Sequence, residues 1–541
     1  MNKKILLFVS LFLSSTFAFS GGLVTNTNQS AAWTRMLIRD ASTGIDAVFY
    51  NPAGLSKLSD GFHFSINNQT LFQTQNITST FPYLNGQDYE GTVKAPVFPG
   101  AYGVYKKNKI AVSFGFNPVG GGGGATFENG LPSMEIPFAG LVPALGASAY
   151  SMNMFFEGTS VYFGLQAGLT YEVCDAFSVY VGGRYIMAKN TYAGYIKDVK
   201  LTTPLGVMAP GTYVSALSSN ASASGTALAQ IVGAGAGGYT LTQLVGASIL
   251  TAAQKAGMEA LLASAGLTPA QISAMTAAQL QPVFGPLAAG LAQKAAVLNI
   301  VTADQEADVV QEGDGFTPII GANLTLMDKK LNIGIKYEFL TKMNLVDYVA
   351  NVGGKELGFI DGVTPTGTPT YMFADGNLTK ADIPAFLSVG ANYKLTDKFN
   401  VAVGYHTYFD EKANWATNDE GKATVDKNFM EYGVGLEYAL TEKFLISAGY
   451  LGTKTSATEF YNDDLSYSLN TNTVGGGGAY KLNDTFTFQF GGFYTMYQDD
   501  TFDKTYTLQT GNVVPFKETY NKMTWAVSFG VDISLGKKAK E

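Results

Sequence analysis

Little in this chain is equipped for covalent or metal chemistry. Its 541 residues include one cysteine and two histidines. Cys174 has no partner for an internal disulfide and no metal-ligand spacing around it; it reads as a small residue at a turn. His63 and His406 leave a catalytic triad or a histidine-rich metal site without material. His63-Phe64-Ser65 sets a His and a Ser on one strand face, but no third partner accompanies them. No catalytic residue, cofactor or metal is expected, and no enzymatic activity. Charge is scarce too. Charged residues make up 14% of the chain, the net charge is −8, and no basic block appears, which argues against nucleic acid as a partner. After the first twenty residues Gly, Asn or charge breaks every apolar stretch before it is long enough for a membrane helix.

What is abundant points elsewhere. There are 62 Gly, 30 Tyr and 36 Phe, a composition that suits many half-exposed strands and is too apolar for disorder. Lys3 and Lys4 precede an apolar core from Ile5 to Phe19, and Ala18-Phe19-Ser20 supplies small residues at −3 and −1 of a cleavage point. Residues 1–20 are therefore expected to be a secretory signal, with the mature chain starting at Gly21.

A phrase recurs along the chain: GANYKLTDKF at 390–399, GLEYALTEKF at 435–444, GGAYKLNDTF at 477–486 and, more loosely, GLTYEVCDAF at 168–177. Weaker copies surround Asp328 and Asn108. Each is an alternating strand, a short polar turn and another alternating strand. In the last strand Met523, Trp525, Val527, Phe529, Val531, Ile533 and Leu535 share one face. Thr524, Ala526, Ser528, Gly530, Asp532 and Ser534 share the other. Strands of about ten residues with an aromatic face and a small polar face favour a membrane barrel over a soluble sandwich. Tight turns near 107, 175, 328, 397, 442 and 484 give twelve strands, and the first and last make fourteen. The expectation is an all-β, 14-stranded antiparallel transmembrane β-barrel with spans near 61–75, 93–105, 109–118, 156–173, 176–193, 307–327, 330–346, 384–395, 398–410, 428–440, 443–454, 467–481, 484–498 and 521–535.

Two segments within 21–541 do not alternate. Residues 21–58 precede the first strand; the barrel occupies 59–541. Within it, residues 201–305 are Ala- and Gly-rich with helical spacing. Helices are expected over 241–265 and 285–300, and Thr268-Pro269-Ala270-Gln271 forms a cap with a first-turn proline. This is a helical extracellular insertion.

The run Asp40-Ala-Ser-Thr-Gly-Ile-Asp-Ala-Val-Phe-Tyr-Asn-Pro-Ala-Gly-Leu55 resembles the plug motif of the FadL family of outer-membrane transporters for long-chain fatty acids and other hydrophobic compounds. Asn51-Pro52-Ala53 matches its central triplet. The resemblance implies that residues 21–58 stop the bore as an N-terminal plug (hatch). Physically, Pro52 fixes φ, Asn51 bonds local backbone and Gly54 permits positive φ; an ordinary turn into the first strand fits the same residues. Arg35 and Arg39 are expected to pair with acids on the pore wall or to face the periplasm.

Asn117-Pro118 followed by glycines 120–124 denies the third strand a donor and side chains. It is either a flexible loop start or, as the resemblance implies, a lateral opening at Asn117, Pro118, Gly120 and Gly121. The apolar stretch 134–145 needs cover: Phe138, Leu141 and Leu145 either pack the barrel mouth or, by the resemblance, form a ligand-capture groove. Parity turns Arg184 and Lys336 into the lumen, since Arg on the lipid face costs roughly 2–4 kcal/mol at mid-membrane. Both are candidates for binding a carboxylate, and both have acids nearby to pair with instead.

The expected function is an outer-membrane channel for passive uptake of long-chain fatty acids or similar hydrophobic compounds, by loop capture, a lumen pocket, a plug shift and lateral release. Its partners would be such a ligand and outer-membrane lipid, the protein itself a monomer. The alternatives are a structural or adhesive surface barrel and a general porin for polar solutes. The tail Gly536-Lys-Lys-Ala-Lys-Glu541 departs from the terminal aromatic that many such barrels use as an assembly signal.

Overall fold

The computed structural model describes residues 23–535; the expected signal segment 1–20, its expected cleavage point and the tail from Gly536 lie outside the described residues. Fourteen antiparallel strands close into a ring. They are β1 (Gly61–Ser79), β2 (Asp88–Lys107), β3 (Ile110–Phe127), β4 (Ala149–Cys174), β5 (Phe177–Thr203), β6 (Gln305–Leu326), β7 (Leu331–Glu338), β8 (Phe386–Lys394), β9 (Phe399–Tyr408), β10 (Met430–Ala439), β11 (Phe444–Lys454), β12 (Thr471–Lys481), β13 (Phe486–Tyr497) and β14 (Val513–Ser534). Each pairs with its sequence neighbours, and β14 returns to β1 with His63 opposite Ser534. Every expected span overlaps its strand, because period-2 alternation with one oily face specifies register strongly, although several strands, among them β2, β3, β4, β5 and β14, run well past the expected ends.

All six short turns lie at one end, together with the start of β1 and the end of β14. Asn108 and Met327-Asp328-Lys329 take left-handed φ in two of these turns. The long connections lie at the other end. The outward face carries the aromatic belt: on β10, Tyr432 and Tyr438 are exposed and bracket exposed Val434 and Leu436. They stand about 20 Å apart along the strand, a run of outward apolar and aromatic side chains such as a lipid-facing strand requires. Cys174 ends β4 beside its turn and is exposed.

The seventh strand differs from expectation. Its ladder stops at Glu338, opposite Ile319. The next partner is Pro318, which has no N–H to give, and the chain resumes pairing against β6 at Val346–Val349. The twelfth begins at Thr471 rather than 467, for a reason given below.

The plug holds helix α1 (Ala31–Met36), helix α2 (Ala47–Tyr50) and a 3-10 turn (Pro52–Lys57), and is buried nearly throughout. Trp33 is 1% exposed and meets Phe493 of β13 edge-on at 5.8 Å. The facing wall is glycine: a Cβ on Gly433 would come within 2.6 Å of Ile38 and one on Gly491 within 2.7 Å of the Arg35 nitrogen. Much of the glycine in β8–β13 thus makes room for the plug.

Above the mouth, 128–148 folds into helices α3 (Pro132–Ala139) and α4 (Leu141–Leu145). The insertion contains α5 (Pro210–Ile231), α6 (Leu241–Gly246), α7 (Ala252–Ser264), α8 (Pro269–Ala274) and α9 (Ala277–Val301). The single helix expected over 241–265 is two, interrupted at 247–251, where Thr251 starts a new capping box with Gln254. α9 begins before the expected 285, at a box of Thr276 and Gln279. α5 went unread because its N-cap is Ala209, which carries no capping side chain. Leu228, Leu244, Leu262, Leu280 and Phe284 form a core within the insertion.

Candidate functional site: the plugged bore and its wall break

β2 and β3 separate in the middle of the wall. Their pairing runs from Lys107 down to Ala101 and resumes only at Val93, leaving 94–100 and 117–124 unpaired across the gap. Pro96, Pro99 and Pro118 lack donors for a ladder, and Gly121 and Gly123 hold φ of 77° and 76°, which L side chains rarely adopt. The four residues expected at a break, Asn117, Pro118, Gly120 and Gly121, sit at it.

The plug's first residues take the place of the missing strand. Asn26 N donates to Val119 O at 2.9 Å, and Thr25 bridges to Gly120. Asn26 Nδ2 donates to Gly121 O at 2.6 Å, Gln29 Nε2 to Pro118 O at 2.8 Å, and Asn117 Nδ2 to Gln29 Oε1 at 2.7 Å. Buried backbone polar groups must be paired, so the break is stable only while this segment lies against it. Sequence reasoning missed Asn26 and Gln29; nothing in their local pattern marks them.

The Asn51–Gly54 motif binds the plug to the opposite wall. Asn51 Nδ2 donates to Ser42 O at 3.0 Å and to Asn323 Oδ1 of β6 at 2.7 Å. The Pro52 and Ala53 carbonyls accept from Thr170 of β4 and Ser178 of β5, each at 2.7 Å. Gly54 corrects its expected role. Its φ is not positive, and it is needed for space, since a Cβ would lie 2.5 Å from Asn51 Nδ2.

Arg35 reaches the wall as expected, donating to Glu437 Oε2 at 2.6 Å and to Gln489 Oε1 at 3.0 Å. Arg39 does not. It clamps Asp46 within the plug at 2.8 Å through both Nε and Nη2, because Asp46 is seven residues on and returns over the α2 entrance.

Between the break and the motif lies a cavity lined by Thr25, Asn26, Phe49, Val119, Phe386 and Tyr408, among others, with Arg184, Lys336, Glu338, Asp40 and His406. It holds about 30 Å³, room for about two waters and not for an acyl chain. Arg184 and Lys336 both face it, as parity required. Glu338 accepts from Arg184 Nη1 at 2.6 Å and from Lys336 Nζ at 2.7 Å. Lys336 also donates to Phe49 O at 2.7 Å, and both cations lie against the Phe49 ring, at 4.9 and 4.5 Å. Opposite them, His406 bridges Asp40 of the plug at 2.6 Å and Glu431 of β10 at 2.7 Å. Glu431 and Glu437 share the inward parity of β10, a signal the sequence did carry. His63 lies apart, at the β1–β14 seam, with Ser534 Oγ 3.1 Å away.

The apolar loop covers the mouth. Phe138 and Leu141 are 7% and 3% exposed; Leu141 and Leu145 pack with Phe81, Tyr213 and Leu298. Glu135 accepts from Tyr89 at 2.5 Å and from Tyr150. Leu145 is half-buried beside Leu141.

A closed fourteen-strand wall, an internal stopper and a break sealed from within define a plugged transmembrane β-barrel. Among solved structures the chain is similar to a Pseudomonas aeruginosa FadL homologue, at 13% identity over 95% of this chain and 99% of that one, with a TM-score of 0.55. It is likewise similar to the Pseudomonas putida toluene transporter TodX, at 11% identity over 94% and 99%, with a TM-score of 0.50. At such identities the likeness is one of fold, the FadL-type barrel. No family model and no curated protein matches the sequence.

Proposed function

We propose that this chain is an outer-membrane channel for passive uptake of long-chain fatty acids or similar hydrophobic compounds. The observation that carries the reading is the cavity's position: it touches Thr25, Asn26 and Val119 at the wall break and Phe49 beside the Asn51–Gly54 motif. A plug shift that frees 25–29 from β3 both enlarges the cavity and opens the wall toward lipid. The ligand is captured by the apolar helices α3 and α4, passes to the cavity and leaves sideways. Burying sixteen carbons gains about 12 kcal/mol gross, enough to drive partition without coupled energy. Arg184 and Lys336 are the candidate partners of a carboxylate there, in exchange with Glu338. The chain acts as a monomer and performs no covalent step.

Uptake of labelled palmitate and toluene by cells with and without the protein tests this. Faster uptake of either hydrophobe, with no sugar passage, is the expected result. No difference would favour an adhesive barrel, and sugar passage a general porin.

A further inference from the structure

The buried cations of the bore differ in one respect. Arg184 and Lys336 share Glu338, and Arg35 has Glu437; even half-buried Lys504 has Glu518, at 2.8 Å. Lys522, on the inward face of β14, is 4% exposed and forms no ion pair among the described residues. It stands opposite Gln75, far up β14 from the Ser534 end, in the extracellular half of the bore. Its Nζ donates to Tyr467 O at 2.7 Å and lies 3.9 Å from the centre of the Tyr467 ring. An ammonium carries three donors, and burying one without a counter-charge is costly.

Tyr467 belongs to 461–469, a run buried at every residue between β11 and β12. The run lies inside the mouth and outside the barrel ladder. It is largely self-bonded: Asp463 Oδ1 accepts from Leu465 N at 2.9 Å and Ser466 N at 2.7 Å, and Asn462 Oδ1 accepts from Ser468 N at 2.8 Å. Its ties outward include Tyr467 OH to Asn521 O at 2.9 Å and Ser133 N, in the first turn of α3, to Asp464 Oδ2 at 2.6 Å. A segment with such internal bonding moves as a unit, and α3 is the apolar lid beside it. Tyr520 stacks on Tyr467 at 4.7 Å and Phe502 packs on Tyr520 at 5.9 Å, so the ring over the ammonium belongs to an apolar cluster.

We propose that Lys522 is a carboxylate subsite in the extracellular half of the bore, which takes the headgroup of an amphiphilic acid when the ligand displaces 461–469 and Tyr467 with it. The Tyr467 carbonyl and ring fill the place of the ligand's carboxylate and apolar neighbour while the mouth is closed. This rests on the uptake reading above and adds an acceptor site ahead of the cavity.

The test titrates dodecanoate and dodecanol, which share a chain and differ in headgroup, into the purified full-length protein, with heat-modifiable migration confirming the barrel. Lys522→Met is expected to lower dodecanoate affinity relative to dodecanol by about 10- to 100-fold, the size of a hydrogen bond to a charged group. Lys522→Arg restores the ratio, and Tyr467→Ala, which keeps the carbonyl but removes the ring over Lys522 and the hydroxyl bond to Asn521 O that hold 461–469 down, raises dodecanoate affinity by easing displacement of the segment. An unchanged ratio in Lys522→Met, or weaker dodecanoate binding in Tyr467→Ala, overturns the subsite. A wild type that binds neither ligand overturns the uptake reading itself.

Discussion

The plug and the helical insertion both leave the barrel wall, and they are held in opposite ways. The plug shares a single core with the wall, where Trp33, Met36 and Val48 cluster with Tyr102, Val104 and Phe493. Its polar atoms find partners on β3, β4, β5, β6, β9 and β10. The insertion has a core of its own, carries three charges between 204 and 303 (Lys255, Glu259 and Lys294), and starts four of its helices with Thr-x-x-Gln boxes at Thr240, Thr251, Thr268 and Thr276. Local rules build the insertion. The plug's conformation is written largely in the wall around it.

The largest expected effect separates the two directly. Deleting 24–57 opens the bore, so single-channel recordings in planar bilayers show a large steady conductance. Replacing 209–303 by a short Gly-Ser linker leaves the channel closed and the barrel heat-modifiable. An open channel after the second deletion would mean that the insertion helps to seal the mouth.

Arg35→Ala probes the plug's dependence on the wall at one contact. It strands Glu437, and because that carboxylate is 22% exposed the loss is about 2 kcal/mol rather than the larger figure for a fully buried pair. Brief channel openings and sugar leakage report it, while insertion melting stays unchanged.

The reciprocal substitution, Thr268→Ala, removes the α8 cap. It costs about 1 kcal/mol of insertion stability, read as faster hydrogen exchange in α7 and α8 with no change in conductance.

A pH dependence sets apart the connection 409–429, which is neither plug nor insertion. Asp410 is fully buried, and burial pushes its carboxyl from 3.8 up to about 7 against the opposing bond from Phe429 N. The folded loop therefore holds a proton that the unfolded loop releases. Its stability is greatest below about pH 4, falls as pH rises from 4 toward 7, and is level above that. Hydrogen exchange across 409–429 at pH 5 and pH 8 shows the slope, and Asp410→Asn abolishes it.

Much of the wall was legible because membrane strands obey a two-residue rule with no tertiary information. The turn phrases ending at Phe399, Phe444 and Phe486 located the hairpins, and parity alone placed Arg184 and Lys336 inside. The same rule misread 467–470: Tyr467 and Leu469 alternate with Ser466 and Ser468 like a strand, yet they lie in the inward-folded segment. A buried loop and a half-buried strand present the same pattern of side chains. The roles of Asp40, Gln29 and Gly54 were illegible for another reason. Each is fixed by a partner far away in the chain, Ser388 at 2.8 Å for Asp40 and Pro118 for Gln29, or by crowding from Asn51.

Sequence by itself determined a fourteen-strand cylinder, its oily exterior, the end at which the short turns lie and the presence of a helical insertion, because alternation, turn chemistry and caps act over a few residues. Tertiary structure alone decided that the first residues of the plug replace a missing strand, that Glu338 already occupies the lumen cations, and that Lys522 is left facing a tyrosine. Those outcomes depend on which surfaces meet when the ring closes, and closure joins groups that no local spacing relates.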